Sequence, residues 1–296
     1  MDDRACVILR NRGVLAIAGD DRRTFLQGLI SNDINKVDSS HVIYSGFLTA
    51  QGRYLHDFFI AEIGDTFYLD CEADRLDDLR RRFTLYKLRS KVTLTPASDR
   101  LVCGVLFGPG TLAALGLPEE PGFARPFGGG IVYVDPRLVG LGARALIPKD
   151  NADVLASAGF KPGAFEAYDR LRLSLGVPDG SRDLPVEKAL LLENGFDELN
   201  GIDWKKGCYV GQELTARMKY RALVRKRLTP VRIDGPMPQP GTPITLDGQE
   251  AGEMRSAQGS LGLALLRLDI IEQADRDGRP LKAGEAEITP VRPAWA

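Results

Sequence analysis

Only two histidines, His41 and His56, occur in the sequence, which excludes a multi-histidine metal centre. The four cysteines, Cys6, Cys71, Cys103 and Cys208, are widely separated and form no CxxC pair. Neither a zinc module nor a dense disulfide framework is therefore expected, and a reducing cytoplasm fits best. No window approaches the roughly 18 uninterrupted apolar residues of a membrane span. The first ten residues hold two acids and no long apolar stretch, unlike a secretory signal or a basic transit peptide. With 39 Lys and Arg against 40 Asp and Glu, the net charge is -1, and there is no global pull toward nucleic acid or an acidic membrane.

What is present is the composition of a soluble globular protein, 44% hydrophobic and 27% charged over 296 residues. That length exceeds what one core usually fills, so two or three packed units are expected. Val14 to Ala18 reads as a short apolar run, and Arg22 to Ile30 places Phe25, Leu26, Leu29 and Ile30 at helical spacing, with Asp20 or Asp21 as cap. From Ile43, apolar stretches broken at Gln51-Gly52 and Gly64-Asp65 read as hairpin strands, followed by an amphipathic helix near Asp74 to Leu85. Leu101 to Phe107 and Ile131 to Val134 read as strands. Asn151 to Ala158 and Ala164 to Leu175 read as helices, the second ended by Gly176 and Pro178. The four prolines of the stretch Gly235 to Pro243 stiffen the chain and suggest a linker or a rigid strand connection, marking the edge of a C-terminal unit. Beyond them, short apolar runs suit a small antiparallel barrel.

The stretch richest in chemistry is Lys205 to Glu213, K-K-G-C-Y-V-G-Q-E. Lys205 and Lys206 favour the thiolate of Cys208, Gly207 and Gly211 allow a tight loop, and a helix beginning near Gly211 adds its positive end. Glu213 and Arg217 are spaced to pair along that helix. An isolated cysteine is also often just a small buried hydrophobe, and no histidine or second cysteine stands nearby to complete a catalytic pair.

Gly207-Cys208-Tyr209-Val210-Gly211-Gln212-Glu213, followed by Ala216-Arg217-Met218-Lys219-Tyr220-Arg221, closely resembles the signature of the YgfZ family. Phe25-Leu26-Gln27-Gly28 with Asn32-Asp33, Leu48-Thr49-Ala50-Gln51-Gly52-Arg53, Leu85-Tyr86-Lys87-Leu88-Arg89 and Arg170-Leu171-Arg172 before Gly176-Val177-Pro178 extend the resemblance over nearly the whole chain. It implies an α+β, three-lobed fold like that of the glycine-cleavage T-protein. Two interleaved lobes would occupy residues 1–227 and a C-terminal β-barrel residues 228–296. It further implies tetrahydrofolate as ligand, iron-sulfur carrier or client proteins as partners, and Cys208 as the functional residue.

Within that resemblance Asp57, in His56-Asp57-Phe58, lies about where the T-protein has paired aspartates, and inherits a general acid/base role. An exposed strand-end carboxylate is the plainer reading. The implied folate residues are Asn32 and Asp33 in a loop, Tyr168, Arg172 and Ser174 on one helix, and Lys206, Gln212 and Glu213 in the signature. Arg217, Tyr220 and Arg221 follow at the mouth, where arginines suit the carboxylates of a polyglutamate tail. Two departures stand out. Ala222 replaces a glycine common in the family, and Ser174 stands where the T-protein helix has the glutamate that holds the pterin ring. Glycine-cleavage aminomethyl transfer is therefore not expected.

Two other readings remain. A folate-dependent one-carbon transferase would keep the fold but should keep the helix glutamate. An RNA-binding or tRNA-modification accessory protein would use the basic stretches Arg80 to Lys91 and Arg217 to Arg227, against a near-neutral net charge.

Overall fold

The computed structural model describes residues 4–295. It contains a five-stranded sheet, a six-stranded sheet and a closed barrel, and it divides into two compact units. The first comprises the chain up to Leu48, Leu55–Tyr168 and Asn200–Val210; the second comprises Thr49–Tyr54, Asp169–Leu199 and everything from Gly211 on.

In the first unit the five-stranded sheet is ordered Ile43–Leu48, Tyr54–Ile63, Thr66–Glu72, Arg12–Ala18, Thr93–Pro96. Arg12–Ala18 runs antiparallel to Thr66–Glu72, with Leu15 opposite Leu69 and Ile17 opposite Phe67. Tyr54–Ile63 is buried over its first eight residues, so both its faces are covered. The helix Leu76–Lys87 turns Leu76, Leu79 and Phe83 inward. Phe83 meets Phe25, Phe47 and Phe58 edge-on, with ring centroids 5.9, 5.0 and 6.1 Å away. Each such pair adds about 0.5–1.5 kcal/mol beyond its area.

The six-stranded sheet is ordered Lys161–Pro162, Ala5–Ile8, Leu101–Phe107, Ala143–Pro148, Gly130–Val134, Ala124–Phe127. A buried charge cluster ties it to the first sheet. Asp70 accepts from Arg12 Nε and from Arg144 Nη2, both at 2.6 Å, and Arg137 pairs with Asp135 at 2.8 Å. Burial alone would raise the Asp70 carboxyl, but the two guanidiniums overcome it and hold its pKa below the ordinary value.

The second unit holds the barrel, ordered Lys226–Asp234, Leu261–Arg267, Gln249–Gln258, Pro243–Leu246, Leu281–Ala283, Ala286–Pro290 and closed on itself. Ile233, Ile244, Met254, Leu266 and Ile288 fill its interior, and closure leaves no exposed sheet edge.

Several local expectations need correction. The first helix spans only Arg22–Gln27, and Asp21 stands at its N-cap without capping it; its Oδ2 accepts the backbone N–H of Lys91 at 2.7 Å instead. The segment expected as one helix from Asn151 to Ala158 is a 3₁₀ turn, Lys149–Asn151, and a single helical turn, Val154–Ser157. The proline-rich stretch is a strand connection, one of the two forms expected, but it lies within the barrel and does not mark its edge. It connects the barrel strands Lys226–Asp234 and Pro243–Leu246, where missing N–H groups cost no ladder bonds. A helix, Leu268–Asp277, follows Leu261–Arg267 and buries Ile270 and Ala274 against the barrel core. Ala222 takes φ 49°, the left-handed backbone that glycine adopts freely and alanine only under strain.

Candidate functional site

Cys208 lies on a loop fastened to the first unit through bonds that span the sequence. Lys206 is 9% exposed; its ammonium donates to the carbonyl oxygens of Ile30 and, at 2.7 Å, Asn32. Burial lowers its pKa to about 8, against the opposing pull of Asp33 and Asp203. Gln27 acts as a buckle. Its Nε2 donates to Asp33 Oδ1 at 2.9 Å and to the Lys206 carbonyl at 3.1 Å, while its Oε1 accepts from Ile34 N at 3.0 Å. Val210 N donates to the Gly28 carbonyl at 3.1 Å, and Asp203 N to that of Ser31 at 3.0 Å. The segments Phe25-Leu26-Gln27-Gly28 and Asn32-Asp33 and the signature loop are thus one assembly.

This corrects the role expected of Lys206. Its charge is directed at two backbone carbonyls, and of the lysine pair only Lys205 is exposed. Gly207 has φ 90° and Gly211 φ 81°, conformations that strain any residue with a Cβ, which is why glycine brackets the cysteine. Gly211 also begins the helix Gln212–Tyr220.

Cys208 is exposed while Cys6, Cys71 and Cys103 are buried. Desolvation raises all three buried thiols, Cys71 to about 12 and Cys103 well above its ordinary value. They stay protonated and inert. Among the described residues, no three His, Cys, Asp or Glu side chains gather where they could hold a metal ion, so a cluster bound at Cys208 would need ligands from a partner.

Asp57 is 3% exposed and accepts from Tyr44 Oη at 2.9 Å. It is not an exposed strand-end carboxylate. Tyr44 also lines a cavity of about 290 Å³ with Asn32, Lys36, His41, Pro136 and Asn200. The Asn32 amide donates to the carbonyls of Tyr44 and Asn200, both at 2.8 Å, so it serves as a strut of the wall. Neither Tyr44 nor Asn200 carried any local sequence signal. Gln27 belongs to the Phe25-Leu26-Gln27-Gly28 motif, but its partner Lys206 lies 179 residues away.

The other implied folate residues are divided between the two units. Asn32, Asp33 and Lys206 meet in the first unit. Tyr168, also in that unit, is buried, its Oη accepting from Arg137 at 3.3 Å and Arg144 at 3.5 Å. In the second unit Arg172 is 2% exposed. It is bound to Asp169 at 2.6 Å, Asp183 at 2.7 Å and Ser256 at 2.7 Å. It is the centre of a buried ion cluster, not a ligand anchor. Ser174 is exposed, and its hydroxyl donates to the Leu171 carbonyl at 2.7 Å. Gln212 is half-buried; Glu213, Arg217, Tyr220 and Arg221 are exposed, and Lys219 between them pairs with Asp197. The stretch from Arg80 is less bare than its sequence reads, since Arg80 pairs with Asp77 and Arg81 and Arg82 with Asp78.

The barrel region, residues 225–296, matches the family described as CAF17, C-terminal beta-barrel domain. The mitochondrial iron-sulfur cluster assembly factor IBA57 of Mus musculus is 34% identical to this chain, over 98% of it and 85% of the mouse protein. The chain belongs to the IBA57 family of iron-sulfur cluster assembly factors. The Homo sapiens member is 36% identical over 88% of this chain and 77% of its own length. The Pyricularia oryzae homologue is 32% identical over 94% and 75%. Among solved structures, the glycine cleavage system aminomethyltransferase T of Bartonella henselae superposes with a TM-score of 0.76 at 14% identity, covering 100% of this chain and 87% of that one. The T-protein-like α+β fold with its C-terminal barrel is therefore the fold of this family member.

Proposed function

We propose that this chain serves the assembly or maintenance of iron-sulfur proteins, as a factor of YgfZ type, by presenting the Cys208 thiol to a partner. The observation that carries the proposal is the contrast among the cysteines: three buried and inert, one exposed on a loop anchored through Lys206, Gln27 and Gly28. A fixed loop presents its thiol at small entropic cost to the incoming partner. The bond formed is transient: the thiol gives its proton to water and, as thiolate, coordinates an iron of a cluster whose remaining ligands come from that partner. The mammalian and fungal relatives, named as iron-sulfur cluster assembly factors, support the same role. Cys208→Ser should fold normally yet fail to restore iron-sulfur enzyme activity in cells lacking the protein. Iodoacetamide should label Cys208 well before Cys6 and Cys103 in the native chain. Full complementation by the serine variant, or equal labelling, would end the proposal.

A reduced folate is the second element we propose, and its two ends fare differently. The ring presents N–H donors that want a carboxylate, and Ser174, its hydroxyl turned back onto its own helix, supplies none. The tail presents carboxylates, and exposed Arg217 and Arg221 suit them. Binding should be modest and tail-dependent. Replacing Arg217 and Arg221 by Gln should weaken binding of a polyglutamylated folate more than of the monoglutamate by calorimetry, and equal losses would remove the folate reading. No step of the thiol chemistry runs through the folate.

A further inference from the structure

The helix Leu76–Lys87 buries Leu76, Leu79 and Phe83, but its end turns hydrophobic side chains to solvent: Leu85 is 73% exposed, Tyr86 40% and Leu88, just past the helix, 88%. Leu88 has φ 44° and ψ -111°, the geometry of the first central position of a type II′ turn, which the Ser90 N–H to Lys87 carbonyl bond closes at 2.8 Å. Glycine is the residue that position favours. A leucine there is strained and gains no burial, so neither the turn nor the core accounts for it. Around it stand Lys87, Arg89 and Lys91, with no acid between Thr84 and Val92; Asp21 is engaged by the Lys91 backbone, and Asp77 and Asp78 by arginines one and two turns earlier. The patch also shares its footing with the cysteine loop. Tyr86 meets Phe47 at 6.0 Å, Phe47 bridges to Ile30, and the Ile30 carbonyl accepts the Lys206 ammonium.

We propose that Leu85, Tyr86 and Leu88, rimmed by Lys87, Arg89 and Lys91, form the docking face for the iron-sulfur partner, a protein with an apolar pocket ringed by Asp and Glu. This rests on the reading of Cys208 given above and adds the partner's surface chemistry. The surplus of basic groups selects an acidic rim, and the strained leucine supplies a central anchor of the kind that dominates interface energies.

The test uses the full chain with Leu85→Asp and Leu88→Asp together, and separately Leu88→Gly. Rescue of an iron-sulfur enzyme in cells lacking the protein is measured alongside thermal unfolding and Cys208 alkylation. Both variants should fold, alkylate at the wild-type rate and lose rescue by about tenfold or more. The glycine variant, freed of its strain, should melt no lower than wild type, which separates docking from folding. Full rescue by both overturns the docking proposal and leaves Cys208 standing. If instead the wild-type chain fails to rescue, the underlying functional reading falls. A benzophenone side chain at position 85 should, on illumination, join a peptide of an iron-sulfur protein rich in Asp and Glu. Joining to a second copy of this chain overturns the proposal. So does flotation with anionic phospholipid vesicles that the aspartate pair abolishes.

Discussion

Replacing Lys206 with methionine separates the charge of this residue from its packing. Methionine keeps most of the apolar stem and removes the ammonium that holds the Ile30 and Asn32 carbonyls. In the native chain the Lys206 pKa is about 8, against 10.5 for an ordinary lysine. Between those two values the unfolded chain binds more protons than the folded one, so stability rises with pH through the window. It is complete above the unfolded value and lost as pH falls through the folded one. A displacement of about 2.5 pH units at about 1.4 kcal/mol each gives a rise of about 3 kcal/mol, good to about a factor of two. At neutral pH the variant escapes that burial cost but loses two charge-assisted hydrogen bonds of about 1.5–3 kcal/mol each. Its net loss should therefore be only about 0–3 kcal/mol. The assay is urea unfolding of both proteins across this pH range, read as their difference, which cancels every other titrating group. The difference should change by about 3 kcal/mol, and amide exchange over residues 205–210 should accelerate in the variant. A flat difference curve would refute the buried-ammonium argument, and unchanged exchange would show that Lys206 does not hold the loop.

Other outcomes follow from the same physics. Ala222→Gly should stabilise the chain by about 1 kcal/mol, seen as a Tm a few degrees higher, because Ala222 now carries the penalty of φ 49°; no change would mean that the turn relaxes at no cost. Asp70→Asn should cost about 3–5 kcal/mol in urea unfolding, since Arg12 and Arg144 would face each other in the interior without their shared anion. A loss below about 1 kcal/mol would show that water reaches the cluster.

Much of the fold was readable in short windows. Leu101–Phe107 appears as the apolar run between turn residues, and Phe165–Ser174 lies where the helical spacing begins and Gly176 ends it. The barrel follows from short apolar runs separated by Gly and Asp, and an exposed Cys208 from its lysine and glycine neighbours. These are local effects, set by groups a few residues apart, and a single sequence displays them. The same locality explains the errors. The Asp21 carboxylate had a nearby cap to make but found the N–H of Lys91, and the prolines near Gly235, readable as a strand connection, could not show that both strands belong to one barrel.

Tertiary structure decided what each charged side chain does. Lys206 looked like the partner of Cys208 and is a buried strut; Arg172 looked like a ligand anchor and is the hub of an ion cluster; Asp57 lies inside a covered strand under Tyr44. The partners of Gln27 and Arg172 lie up to 179 and 84 residues away. Burying a charge is so costly that it settles wherever distant chain completes its bonds. Hydrophobic periodicity therefore reached the elements from the sequence alone, while the assignment of charge to scaffold or to site waited on which remote carbonyls and carboxylates folding brought within three ångströms.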